Sequence, residues 1–380
     1  MVSRTERGPF ADWFWTIDRF SLMAFLFLMG LGFMLSFASS PSVAEKLGLD
    51  SFYFVKRHAF FLFPSILVMI SFSFFSSEQI RKIALIILFF SLTAMLITLF
   101  LGVEIKGARR WLNIAGISIQ PSEFMKPAFI VVCSWLFSEQ ARQPEVPGNL
   151  FSLILFGIVV ALLVAQPDFG QSVLMSFIWG SIFFATGVSW LLVIAFGIFG
   201  LFCSVLAYKT MPHVANRINH FFTGTGDSFQ IDSSREAIIR GGWFGQGPGE
   251  GTIKRIIPDS HTDFVFSVAA EEFGILFCMM ILCIFTFVVV RAFLHSFKEP
   301  DYFNRLAVVG LALQIGFQAT INIGVNLQIL PTKGMTMPTI SYGGSSMLGM
   351  CMTIGFLLSL TRHRPERRAT ESRLFRISSL

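Results

Sequence analysis

The chain has 380 residues, 54% of them hydrophobic and only 14% charged, with 46 phenylalanines and a mean hydropathy of +0.68. That balance excludes an ordinary water-soluble domain and points to an integral membrane protein. The formal net charge of +6 does not indicate nucleic acid. The excess sits in Arg362, Arg364, Arg367, Arg368, Arg373 and Arg376, which directly follow an apolar segment and suit an anionic membrane surface.

Stretches of about 18 or more mostly apolar residues suffice to cross a hydrocarbon layer of about 30 Å. They recur at about 20–39, 52–75, 83–102, 121–138, 151–166, 171–187, 191–208, 264–290, 306–329 and 342–361. The expectation is an all-α polytopic membrane protein of about ten transmembrane helices, since helices satisfy their own backbone hydrogen bonds in lipid and the alternating pattern of a membrane barrel is absent. The chain reads as one membrane domain, 1–380, with residues 1–19 before the first span, a long loop 209–262 between the seventh and eighth, and a basic tail 362–380. The first apolar core is too long for a cleavable signal and reads as a retained anchor. Ten spans put both termini on one side. Arg4, Arg7 and Arg19, then Arg291, Lys298 and Arg305 in the 291–305 loop, then the tail, make that side the cytoplasm. The five cysteines fall in these spans without metal-type spacing, so neither disulfides nor a zinc site are expected.

Candidate chemistry begins with Lys106-Gly107-Ala108-Arg109-Arg110-Trp111, a cationic stretch on the external side. Arginine forks match phosphate oxygens, so a pyrophosphate-bearing lipid is one ligand; snorkelling to ordinary anionic headgroups is the alternative. In Pro121-Ser122-Glu123-Phe124-Met125-Lys126-Pro127, Pro121 suits the first position of a helix, and Glu123 and Lys126 stand at i, i+3. They read either as a self-neutralised pair or as a patch lining a cavity. Asp168, in Gln166-Pro167-Asp168-Phe169-Gly170, reads as a turn residue capping the next helix. The Gly-rich run 241–251 suggests a flexible loop close to the membrane, with Trp243 and Phe244 dipping into the interface.

At the start of the eighth span, His261 or Thr262 reads as the N-cap and Asp263 gains from the helix dipole; the competing reading makes Asp263 a carboxylate base at the membrane surface. Glu271 and Glu272 follow at membrane depth and call for a Lys or Arg partner, and only Glu271 is expected to share a face with Asp263. Leu330-Pro331-Thr332-Lys333-Gly334 and Pro338 to Ser346, with Ser341, read as a re-entrant turn before the last helix.

Taken in order, KGARRWL (106–112), PSEFMKP (121–127), QPDFG (166–170), HTDFVF (261–266), AEEFG (270–274), GVNLQILPTKG (324–334) and ISYGGSS (340–346) resemble the SEDS family of cell-wall polymerases over essentially the whole membrane region. The GVNL…LPTKG segment is more similar to the division branch than to the elongation branch. The resemblance implies a ten-helix peptidoglycan glycosyltransferase that polymerises lipid II on the outer face of the cytoplasmic membrane at the septum. It also implies a class B penicillin-binding protein and other divisome proteins as partners. It implies Asp263 as the essential carboxylate, as base or as ligand of a divalent cation (Mg²⁺ or Mn²⁺). Lys106, Arg109, Arg110, Glu123, Lys126, Asp168, His261, Thr262, Glu271, Lys333 and Ser341 are expected to form the supporting polar site. One departure is visible: the family's common Pro-Glu-Ala-His is Pro258-Asp259-Ser260-His261 here. A lipid II flippase and a non-catalytic scaffold for a transpeptidase are the rival readings; a transporter should place its charges at the midplane and show repeat symmetry.

Overall fold

A computed structural model describes residues 8–105, 108–114, 116–210, 215–216, 219, 229–257, 259–331 and 334–362. Lys106 and Lys333 therefore lie outside the described residues, as does the tail beyond Arg362. A short helix α1 (Pro9–Thr16) leads into α2 (Arg19–Lys46), α3 (Tyr53–Phe74) and α4 (Ser77–Leu101). Strands β1 (Val103–Ile105), β2 (Ala108–Ile114) and β3 (Ile117–Ile119) then form an antiparallel meander. Helices α5 (Pro121–Arg142), α6 (Gly148–Ala165), α7 (Phe169–Ala185) and α8 (Trp190–Thr210) follow. After them come α9 (Phe229–Gly241), α10 (Val265–Lys298), α11 (Tyr302–Asn326) and α12 (Gly344–Leu360).

Each of the ten expected spans coincides with one helix, α2 to α8 and α10 to α12. Seven are long and apolar enough to cross a membrane, and α7 and α12 are shorter apolar helices. The chain is a multi-pass membrane protein. Its exposed side chains fit that solvent: Phe63 and Phe100 point outward at 70% and 75% exposure, whereas Ser39, Ser40, Ser65 and Ser73 are buried between helices. Small residues between helices are what close helix packing in lipid selects. The first and last described segments meet at one end of the bundle, where Trp13 donates to Ser73 at 2.8 Å and Arg362 donates to Thr16 at 3.0 Å.

Three local features differ from the sequence expectation. The loop after α4 is a small sheet, because its alternating side chains pair in register, Leu112 against Ile119 and Ile114 against Ile117. The eighth span is interrupted: within α10, Gly274 has φ 81° and ψ 175°, which breaks the helix into a 265–273 piece and a 275–298 piece. At 1.5 Å per residue that second piece is long enough to span alone. Finally, the Gly-rich run is packed rather than loose. Gln246 and Gly247 donate to the Glu271 and Glu272 carbonyls at 2.9 and 3.0 Å, and Ile275 donates to Gly242 at 2.9 Å, so the loop satisfies backbone groups that the break exposes. Trp243 and Phe244 remain exposed, as an interfacial position requires.

The re-entrant turn before α12 is present. Ile340 lies against the middle of α2, where a Cβ on Gly32 would come within 2.6 Å of its backbone. The turn thus reaches the depth of the α2 midpoint before the 17-residue helix α12 begins.

Candidate active site

Asp263 sits in a turn, not in a helix. Asp259 adopts φ 56°, a left-handed conformation that aspartate tolerates. Its carbonyl accepts from Thr262 and Asp263 N–H at 3.0 and 3.2 Å and from the Thr262 hydroxyl at 3.2 Å. Regular helix therefore begins only at Val265, after Phe264, which gives no side-chain cap. The expected capping by His261 or Thr262 does not occur, because the turn's N–H groups are already taken by a backbone carbonyl. His261 instead packs its ring on Phe54, 4.4 Å between centroids, and on Tyr342, while its carbonyl accepts from the Tyr342 N–H at 3.1 Å. That contact ties the turn to the re-entrant segment. Ser341 belongs to the same segment but closes it on itself, its hydroxyl accepting from Met337 N–H at 2.8 Å.

Behind Asp263 lies a feature that the sequence reading missed. Gln314, Gln318, Asn322 and Asn326 recur every four residues on one face of α11, and all are buried. Asn322 and Asn326 both donate to the Asp263 carbonyl, at 2.9 and 3.0 Å. Gln318 accepts from Lys126 at 3.2 Å, Lys126 pairs with Glu123 at 2.8 Å, and Gln171 donates to Glu123 at 3.3 Å. Asp168 accepts from Gln171 N–H at 3.3 Å and pairs with Arg110 at 3.3 Å. One buried polar chain thus runs from the Asp263 turn to the sheet. The signal in the sequence was the i, i+4 recurrence of amides in an apolar helix, which is expensive in lipid unless the amides are bonded; Gln318, Asn322 and Asn326 are, whereas Gln314 finds no partner among the described residues.

Several expected site residues take other roles. Arg109 and Arg110 do not form one cationic fork, since adjacent residues of a strand point to opposite faces. Arg109 is exposed and pairs with Glu104 at 3.3 Å, whereas Arg110 turns inward and also donates to the carbonyls of Gln166 and Pro167. Asp168 caps α7, as the turn reading held. Burial pushes its carboxyl above the usual range, against the opposing pull of Arg110 and the Gln171 N–H. Glu271 does not share a face with Asp263, which precedes the helix; its carboxylate accepts from Ile253 and Lys254 N–H at 2.6 and 2.8 Å and latches the long loop. The cation expected beside this acidic pair is Lys254, bonded to Glu272.

Residues 19–366 match the family described as cell cycle protein, FtsW/RodA/SpoVE. The chain belongs to this family, the SEDS family. A SEDS relative from Caulobacter vibrioides, named probable peptidoglycan glycosyltransferase FtsW, is 46% identical over 96% of this chain and 94% of its own. One of the same name from Legionella pneumophila is 32% identical over 90% of each. Both are named for the division branch, as the GVNL…LPTKG segment led one to expect. Among solved structures, a chain from work described as "Structural coordination of polymerization and crosslinking by a peptidoglycan synthase complex" superposes with a TM-score of 0.77 at 25% identity, covering 91% of this chain and 97% of that one. The Thermus thermophilus rod shape determining protein RodA gives 0.66 at 25% identity, covering 91% and 96%.

Proposed function

We propose that this SEDS chain polymerises lipid II into β-1,4-linked glycan at the division septum, in the cytoplasmic membrane, with Asp263 as the base. The observation that carries the reading is the placement of Asp263. It is half-buried, and the segment leading into it is tied to the C-terminal end of α2, where Lys46 donates to the Ile256 carbonyl at 3.0 Å. There it is held between a bonded turn and a re-entrant segment. A carboxylate so held suits proton transfer, because a base must stay within hydrogen-bond reach of the hydroxyl it deprotonates.

In the reaction, the 4-hydroxyl of one sugar attacks the anomeric carbon of an α-linked sugar pyrophosphate. The Asp263 carboxylate takes the hydroxyl proton, the new β bond forms with inversion, and undecaprenyl pyrophosphate departs with the bonding electron pair. Arg109, exposed on the β1–β3 sheet and paired with Glu104, is the cation that would exchange that partner for the pyrophosphate, and Lys106 is close to it in sequence. Arg110 is assigned to holding the 166–168 turn. Among the described residues no three His, Cys, Asp or Glu side chains gather into a metal cage. The donor set fits only an ion such as Mg²⁺ or Mn²⁺ that takes one protein carboxylate, Asp263, and substrate phosphates, and such an ion would neutralise leaving-group charge. A class B penicillin-binding protein and other divisome proteins are the proposed partners.

The flippase reading gains from the polar chain reaching deep into the bundle. However, Gln318, Asn322 and Asn326 are buried and bonded to protein groups instead of lining a passage. Reconstitution with the cognate transpeptidase and lipid II tests the proposal. Wild type yields glycan polymer and Asp263→Ala loses at least about 100-fold in rate, the usual worth of general base catalysis. Polymer formation by Asp263→Ala at the wild-type rate rejects the base, and an inactive wild-type complex favours the flippase or the scaffold.

A further inference from the structure

We propose that the amide ladder of α11, chiefly Asn322 with Asn326 and Gln318, is the positioning element that sets the Asp263 carboxylate against the re-entrant segment; this rests on Asp263 being the base. Asp263 lies outside regular helix, so helical hydrogen bonding does not fix it. Its carbonyl is instead clamped by two side-chain amides.

Both hydrogens of the Asn322 amide have a use. One bond goes to the Asp263 carbonyl at 2.9 Å and the other to the Met335 carbonyl at 2.7 Å. A single side chain thereby holds the two segments that meet at the carboxylate. Gly334, next to Met335, has φ 58°, and a Cβ built on it would stand 3.6 Å from the Asp263 Oδ2. The next rung repeats the device, with Gln318 donating to the Thr336 carbonyl at 3.1 Å.

The ladder's neighbours fix which way each amide points. Asn326 Oδ1 accepts from the Ser267 N–H at 3.2 Å and from its hydroxyl at 2.6 Å, so the Asn326 NH₂ is turned toward Asp263. Gln318 Oε1 accepts from Lys126, so its NH₂ is turned toward Thr336. Lys126 is in turn held by Glu123. The buried ion pair of α5 thus orients the ladder, and the ladder orients the turn. A displacement of about 1 Å at a reacting group costs roughly 100-fold in rate, so the clamp acts on turnover more than on substrate affinity.

The test measures initial rates of polymerisation by the full chain with its transpeptidase partner, over a range of lipid II concentrations. Asn322→Leu keeps the side chain's branching and heavy-atom count and removes the donors; Asn322→His restores an N–H donor at similar reach. Expected are a fall in kcat on the order of 10- to 100-fold for Asn322→Leu at nearly unchanged KM, and partial recovery in Asn322→His. An unchanged kcat, a rise in KM alone, or a histidine variant no better than leucine overturns the proposal. Should Asn322→Leu fail to elute as a folded complex, Asn326→Ser carries the same expectation, and an unchanged kcat in that variant rejects the clamp. Asp263→Ala is run in parallel. If it polymerises normally, the base assignment falls; if it is inactive while Asn322→Leu is normal, the clamp alone falls.

Discussion

Lys126 is 1% exposed and makes its ion pair with Glu123 inside the bundle. Removing one member of such a pair leaves the other charged and buried without compensation. Lys126→Met is therefore expected to destabilise the protein by about 3–5 kcal/mol, and Glu123→Gln combined with Lys126→Met to recover most of the loss. Thermal unfolding in detergent checks both, and equal destabilisation by the single and double changes would reject the pairing. This pair was legible in the sequence because its partners lie on one helix, three residues apart. The Asn322 clamp was not, since its partner Asp263 is 59 residues away and is bonded through a backbone carbonyl, a group that every residue carries. Arg109 and Arg110 are the opposite case. They are adjacent in sequence, and only strand formation, which loop hydropathy does not signal, sends them to different partners.

At the scale of elements, hydropathy placed helices α2 to α8 and α10 to α12 but ran straight through Gly274. An isolated glycine in an apolar helical pattern is ordinarily tolerated, so nothing local marks a break. The break depends on the 241–247 run, which approaches so closely that a Cβ on Gly274 would stand 2.4 Å from the Trp243 carbonyl oxygen and 2.5 Å from the Gly245 nitrogen. The glycines of the run read as flexibility, yet they permit contact: a Cβ on Gly241 would meet the Ala270 carbonyl oxygen at 1.9 Å. Gly274→Ala must therefore either adopt a strained positive φ or straighten the helix and expel the loop. The expected cost is at least about 1–3 kcal/mol from backbone strain alone. Expulsion would be read as faster proteolytic cleavage within 241–251, and a cleavage rate equal to wild type would show that the loop is not held at the break.

For the whole molecule, the two ends of the bundle are held by different chemistry. The Asp263 turn is fixed by amides and a backbone turn, whereas at the opposite end α2 is tied to α10 by charge. Asp18, which caps α2, accepts from Arg291 of α10 at 2.6 Å and pairs with His295 at 3.4 Å. Burial pushes the Asp18 carboxyl up, but hydrogen bonds from His295, Arg291 and Ser21 outweigh it and hold the group below its ordinary value of 3.8. Because folding lowers this pKa, the stabilisation is complete above that ordinary value and is lost as pH falls below it. Asp18→Asn is expected to lower stability near neutral pH by on the order of 1–2 kcal/mol, a figure discounted because Arg291 is 31% exposed. The wild-type advantage should then shrink on acidification from about pH 5 to pH 3. Thermal midpoints of the two proteins in detergent across that range measure it, and a gap that stays constant with pH would show that the ionised carboxylate does not join α2 to α10.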